Sequence, residues 1–245
     1  MGSRKQEGVS SPMGVEKFGA NPLIGVGEET VWDVGATADW TNTWDGGASI
    51  LTIASANATD SIDSLGARKV KIYGLDELGH LCNETVTMSG TNSVSTSKSY
   101  TFVYRMNAEE VGSNTPQTNA GTISLAYEGV EVAQILPQKG QTLMATYVIP
   151  TGMVGVLRKL YGTSHQQNVN TVLFRLRSRL AVGRSWRTRF QFGGAAGSWQ
   201  TYNLPLPVVT FPAGTMIELL AVTTFAGGVP VIGGFTIDLS SGQVK

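Results

Sequence analysis

From Val172 to Leu180 the chain alternates strictly, and a repeat of two residues is the period of a β-strand, not of a helix. The alternation places Arg175, Arg177 and Arg179 on one face and Phe174, Leu176 and Leu180 on the other. The next run, Ser185 to Phe192, repeats the pattern, with Arg187 and Arg189 opposing Trp186, Phe190 and Phe192. Two such strands in succession read as a hairpin with arginines along one face. Like charges at i and i+2 stand about 7 Å apart, inside a Debye length of about 8 Å, so the ladder repels itself unless acid faces it. Acid is scarce nearby. Residues 139–245 hold 10 Lys and Arg against 2 Asp and Glu, while residues 1–138 hold 8 against 16, so the zero net charge is the sum of +8 and −8. The countercharge is expected from the N-terminal half, a neighbouring copy or another molecule.

Short strands joined by glycine turns account for most of the remaining chain, which carries 30 Gly and only 15% charged residues. Residues 1–40 lack sustained alternation and are broken by Gly8, Pro12, Gly14, Gly19, Pro22, Gly25 and Gly35, so they read as an extended arm. Residues 41–138 carry strand candidates at 50–53, 69–73, 84–88, 100–106 and 122–127, the spacing of a β-sandwich or barrel domain. A short helical turn is expected around Asn107 to Val111. Pro137-Gln138-Lys139-Gly140 marks a boundary. Residues 139–245 then hold seven strand candidates punctuated by Pro150-Thr151-Gly152, Gly193-Gly194, Pro212-Ala213-Gly214, Gly227-Gly228 and Gly233-Gly234. The expected fold is all-β: an arm, a sandwich or barrel, then a jelly-roll-like sandwich.

The single cysteine, Cys82, excludes an intramolecular disulfide framework and a four-cysteine zinc site, and fits assembly in a cytosol. No apolar run reaches the roughly 20 residues of a membrane helix, and Met1 to Gly14 is polar where a signal core would be apolar. Without a leader, the sequons at Asn57 and Asn83 carry little weight.

Candidate chemistry is thin. His80 and Cys82 share a strand face, but two ligands of mixed softness do not close a zinc site; a turn with a half-buried thiol accounts for them. Neither His80 nor His165 adjoins a nucleophile signature, and no phosphate-binding loop joins a strand to a helix. Asp60 with Asp63, and Glu109 with Glu110, are acid pairs of the kind glycosidases use, though acidic loops are more often simply solvated. Trp32, Trp40 and Trp44 cluster near the arm; a sugar-stacking platform is one reading, and anchoring against a neighbour is the favoured one. The arginine ladder is disfavoured as a nucleic-acid surface because its aromatics lie on the opposite face, leaving a solvated hairpin or, preferred, a protein interface through Arg175, Arg177, Arg179, Arg187 and Arg189.

Several segments in order carry a family resemblance. They are Lys17-Phe18-Gly19-Ala20-Asn21-Pro22 with Glu29-Thr30-Val31-Trp32-Asp33, Gly66-Ala67-Arg68 with Gly74-Leu75-Asp76, Glu84 to Gly90, Thr118-Asn119-Ala120-Gly121, and Gly140 to Met144 leading to Ile149-Pro150. Over residues 17–240 the chain resembles a family of structural proteins of tailed bacteriophages. The resemblance implies a non-enzymatic virion component with β-rich domains, and the residues weighed above assign it no cofactor, metal or catalytic side chain. Of such roles, a capsid decoration or cement protein is preferred: it would bind the phage major capsid protein or other virion proteins, associate as a homotrimer, and lay its arm across neighbouring subunits. Removing residues 1–40 should then leave a folded remainder. A neck or tail component, including a fibre or receptor-binding subunit, is the alternative, with a carbohydrate-binding module or glycan hydrolase behind it.

Overall fold

The computed structural model describes residues 13–35, 37–38, 40, 47–164, 172–180, 184–194, 199–204, 209–225 and 227–242. Within them lie seventeen strands and no helix. The chain opens with β1 (Met13–Ile24) and β2 (Glu29–Thr30). Seven strands follow: β3 (Ser49–Ser55), β4 (Ala67–Leu75), β5 (Leu81–Thr87), β6 (Val94–Tyr100), β7 (Phe102–Val111), β8 (Ile123–Tyr127) and β9 (Val130–Ile135). They form two antiparallel sheets, β6-β3-β8-β9 and β5-β4-β7. Leu51, Ile53, Ile123 and Leu125 of one sheet share a core with Val70, Ile72, Val103 and Met106 of the other, so this is a sandwich.

The second sandwich is built from β10 (Thr146–Val148), β11 (Met153–Ser164), β12 (Val172–Arg179), β13 (Arg187–Gly194), β14 (Gln200–Asn203), β15 (Thr210–Phe211), β16 (Met216–Thr223) and β17 (Val229–Ser241). One sheet runs β10-β16-β12-β13 and the other β17-β11-β14, with β15 also on β11. Strands β10, β11 and β12 alternate between the sheets, as do β16 and β17, the cross-sheet connectivity of a jelly-roll type of sandwich. Phe174, Leu176, Leu219, Phe235 and Ile237 lie at its centre.

The leading segment is extended, but it does not reach away. β1 pairs antiparallel with β17 from Met13↔Leu239 to Asn21↔Val231, and β2 pairs with β16. Ile24 and Val31 belong to the second core, Trp32 to the first, and Trp40 to a small cluster between them with Leu75, Phe102, Val148 and Met216. The expectation that residues 1–40 are dispensable for folding is therefore corrected. A chain cut after residue 40 loses an edge strand and four buried apolar side chains, each worth about 1.5–3 kcal/mol or more.

Three local expectations also change. Asn107 to Val111 is the end of β7, not a helical turn. Gly193 and Gly194 end β13. Gly233 and Gly234 lie inside β17, where the strand passes between β1 and β11: a Cβ on Gly234 would stand 2.0 Å from the Lys17 carbonyl oxygen. That pair marks close approach of backbones, not a turn.

Asp33 closes the crossing from the arm to the sheets. Its N–H donates to the Leu143 carbonyl at 3.0 Å, its carboxylate accepts the Leu143 N–H at 3.2 Å, and Gln134 donates its amide to the Asp33 carbonyl. Burial pushes this carboxyl up to about 7; the Leu143 N–H opposes the shift and the Glu131 charge adds to it. An acid whose folded pKa lies above its unfolded value near 3.9 contributes stability that is full below about pH 4 and is lost as pH rises towards 7. Asp33→Asn should therefore gain on the wild type by about 1.4 kcal/mol per pH unit across that window, levelling off above pH 7. Denaturant titrations at pH 5, 6, 7 and 8 measure it, and curves that run parallel for the two proteins contradict it.

Candidate functional site

The alternation read from the sequence holds through β12: Val172, Phe174, Leu176 and Ser178 are buried, while Arg175, Arg177 and Arg179 are half-buried on the other face. Leu180 departs from it. It lies past the end of the strand and is 52% exposed.

For Arg175 and Arg177 the acid comes from within the chain. Arg175 Nη1 lies 2.5 Å from Glu28 Oε1, in the loop that leads into β2. Arg177 donates from Nε at 2.9 Å and Nη2 at 2.8 Å to Glu218 Oε2, the residue opposite it across β12 and β16. Glu218 is one of only two carboxylates in the basic half, and it is fully buried. Trp40 Nε1 donates to the same oxygen at 3.3 Å, and the Thr30 hydroxyl donates to Oε1. Burial raises this carboxyl above the usual range, opposed by the Arg177 guanidinium and the hydroxyl and indole donors. One buried acid thus ties ladder, arm and β16 together. Its signal in the sequence is a lone Glu in the apolar run Met216 to Val222.

An aromatic ring covers two of the ladder arginines. Trp186 lies under both Arg177 and Arg179, whose guanidinium carbons stand 4.5 and 4.9 Å from its ring centre. Trp40 packs against Trp186 at 5.6 Å and stacks on Phe102 at 5.4 Å, and Trp32 is buried with its Nε1 donating to the Gly35 carbonyl. Of the three tryptophans singled out, these two anchor the arm to its own chain. Trp44 lies outside the described residues.

The chain of pairings stops at β13. Arg184, Arg187 and Arg189 are exposed, and no carboxylate among the described residues forms an ion pair with them. β13 is the last strand of its sheet. A bulge at Leu176/Arg177 corrects the expected single arginine face: past it Arg187 lies opposite Ser178, Arg189 donates from Nε to Ser178 Oγ at 2.7 Å, and Trp186 instead shares the face of Arg177 and Arg179. Arg184 adds a third cation that the two-residue pattern of the strand does not include.

The other candidates resolve into structure. His80 is exposed at a turn whose Asp76 carboxylate accepts the Leu78 and His80 N–H groups at 2.9 Å. Burial, with the Asp76 charge, pushes the Cys82 thiol up to about 11, which leaves it unreactive at neutral pH. Among the described residues no three His, Cys, Asp or Glu side chains gather. Asp60 is not a solvated loop acid: it is fully buried and accepts from Ser55 Oγ and the N–H groups of Ala67, Ala120 and Gly121 at 2.6–2.8 Å. Asp63 is exposed, and Glu109 and Glu110 pair with Lys71 and Lys69. Among the described residues no helix is long and apolar enough to cross a membrane.

No protein-family model matches the chain, and no curated protein matches it. Among solved structures, a mitogen from Yersinia pseudotuberculosis aligns over 41% of this chain and 87% of its own at 16% identity and a TM-score of 0.21. The Gx strain of infectious bursal disease virus aligns over 99% of this chain and 76% of its own at 10% identity and a TM-score of 0.27. The VP2 subviral particle of the same virus aligns over 97% and 74% at 10% identity and a TM-score of 0.24. Superpositions this loose carry no assignment of function.

Proposed function

We propose that this chain is a non-enzymatic structural protein of a virus particle, a decoration or cement protein on the head of a tailed bacteriophage. It docks as a trimer on the major capsid protein. The observation that carries the reading is the cationic edge formed by Arg184, Arg187 and Arg189, which are exposed and form no ion pair with a carboxylate among the described residues, whereas Arg175 and Arg177 meet Glu28 and Glu218 of their own chain. The ordered motifs spanning residues 17–240, which resemble those of phage structural proteins, support the same reading. Arginine at such an edge offers a planar fork to carboxylates, and complementary charge steers and orients docking. Many copies on one lattice then multiply weak contacts through avidity. Immunogold labelling of intact virions, with antibody raised against the purified chain, should mark the head surface. Particles without label, with the protein recovered only from the soluble fraction of the lysate, overturn the reading.

A further inference from the structure

Beside the cationic edge the structure holds a cavity of about 290 Å³. Arg179, Arg184, Arg187 and Arg189 line it together with Ser178 and Thr215, and among the described residues no carboxylate does. Ser178 and Thr215 are almost wholly buried, so the floor is polar but shielded from water. Phe211, Pro212 and Leu180 add an apolar part to the wall. At about 30 Å³ per molecule of liquid water the space equals roughly ten waters, room for a side chain together with its stem.

We propose that this cavity and the outer side of β13 together bind an acidic segment of a partner protein in extended conformation. Three observations select that occupant. Three exposed arginines, Arg184, Arg187 and Arg189, that pair with no carboxylate among the described residues call for carboxylate or phosphate. The apolar wall would stay uncovered by a bare oxyanion, whereas an aspartate or glutamate arrives with methylenes and flanking residues that cover it. Among the described residues β13 has no strand on its outer side, so its free N–H and C=O groups can pair with an added peptide strand but not with a nucleic acid. Acids at alternate positions of such a strand recur about every 7 Å, the spacing that suits Arg187 and Arg189.

This site deepens the docking reading above by naming the chemistry of the partner, and it is tested apart from any particle. The probe is a capped ten-residue peptide alternating Glu and Thr, titrated into the full-length protein by calorimetry at two salt concentrations. Binding should weaken with salt, fall at least tenfold in Arg184→Gln/Arg187→Gln, and stay unchanged in Arg158→Gln, whose partner Asp238 lies elsewhere. Both arginines of the double variant are exposed, and an unchanged melting temperature confirms that it folds. The proposal is overturned if a control peptide with every Glu replaced by Gln binds equally, if the double variant binds as the wild type does, or if inorganic phosphate or a thymidine decanucleotide binds more tightly. Peptide binding without label on virions leaves the site standing and removes the particle reading; label without peptide binding does the reverse.

Discussion

Glu218→Ala should lower the unfolding free energy by about 3–5 kcal/mol, the range for removing one partner of a buried ion pair. The wild-type carboxylate is fully buried and receives Arg177 twice, Trp40 and Thr30. Alanine strands a guanidinium that is only 20% exposed and leaves an indole N–H and a hydroxyl without their acceptor. Part of the arginine's charge stays stabilised by the Trp186 ring, so the loss should sit inside the range and not beyond it. The double variant Glu218→Leu/Arg177→Met separates the pair's attraction from the penalty of a lone charge. Because a buried pair replaced by apolar side chains is often nearly neutral, it should recover more than half of the loss, with the remainder due to Trp40 and Thr30. Urea titration followed by tryptophan fluorescence reads all three proteins. A single-variant loss below 1 kcal/mol means that the four donors do not converge on this acid in solution.

Gly19→Ala should have an effect of similar size through a different cause. A Cβ at position 19 would stand 1.9 Å from the Val31 carbonyl oxygen and 2.7 Å from the Ala145 nitrogen. These two atoms are hydrogen bonded to each other at 2.9 Å, so one methyl group strikes the bond that joins the arm to Ala145, just ahead of β10. Neither backbone can give way cheaply, and the loss should exceed about 3 kcal/mol, the upper end of ordinary substitutions. Gly14→Ala, on the same strand with nothing within 4 Å of its Cβ position, should be silent. Thermal melts with limited proteolysis compare the two. Gly19→Ala should expose residues 13–40 to cleavage while the first sandwich resists, and equal behaviour of both variants contradicts the packing.

The strands that alternate clearly were legible. Val172 to Arg179 announced both a strand and the outward face of its arginines, and Lys69 to Tyr73 did the same for β4. The arm was illegible because its inward positions are Lys17, Gly19 and Asn21, buried residues that break any apolar period. They are satisfied by backbone and polar contacts: Lys17 donates from Nζ to the Tyr104 carbonyl, and Asn21 Nδ2 donates to the Thr30 carbonyl at 3.1 Å. β6 is illegible for a related reason, since Val94 to Tyr100 is mostly serine, threonine and lysine and holds its place by pairing with β3. Of the candidate site, the scarcity of acid was plain, but its location was not. Arg177 meets Glu218 through the register of β12 on β16, which no local pattern encodes. The acidic and basic halves of the sequence therefore overstate the separation of charge in the fold, because Glu28 crosses over to meet Arg175.

The account rests on residues 13–24 being part of their own chain's second sandwich, which leaves the exposed edge at β13 to meet a partner. Hydrogen–deuterium exchange of the β1 amides, followed by mass spectrometry at two protein concentrations far apart, addresses this directly. Slow exchange across residues 13–24 that is the same at both concentrations, and is lost in Gly19→Ala, is the expected result. Exchange as fast as in an unstructured peptide, or protection that appears only at the higher concentration, would mean that β17 does not hold this strand or that a neighbouring copy does.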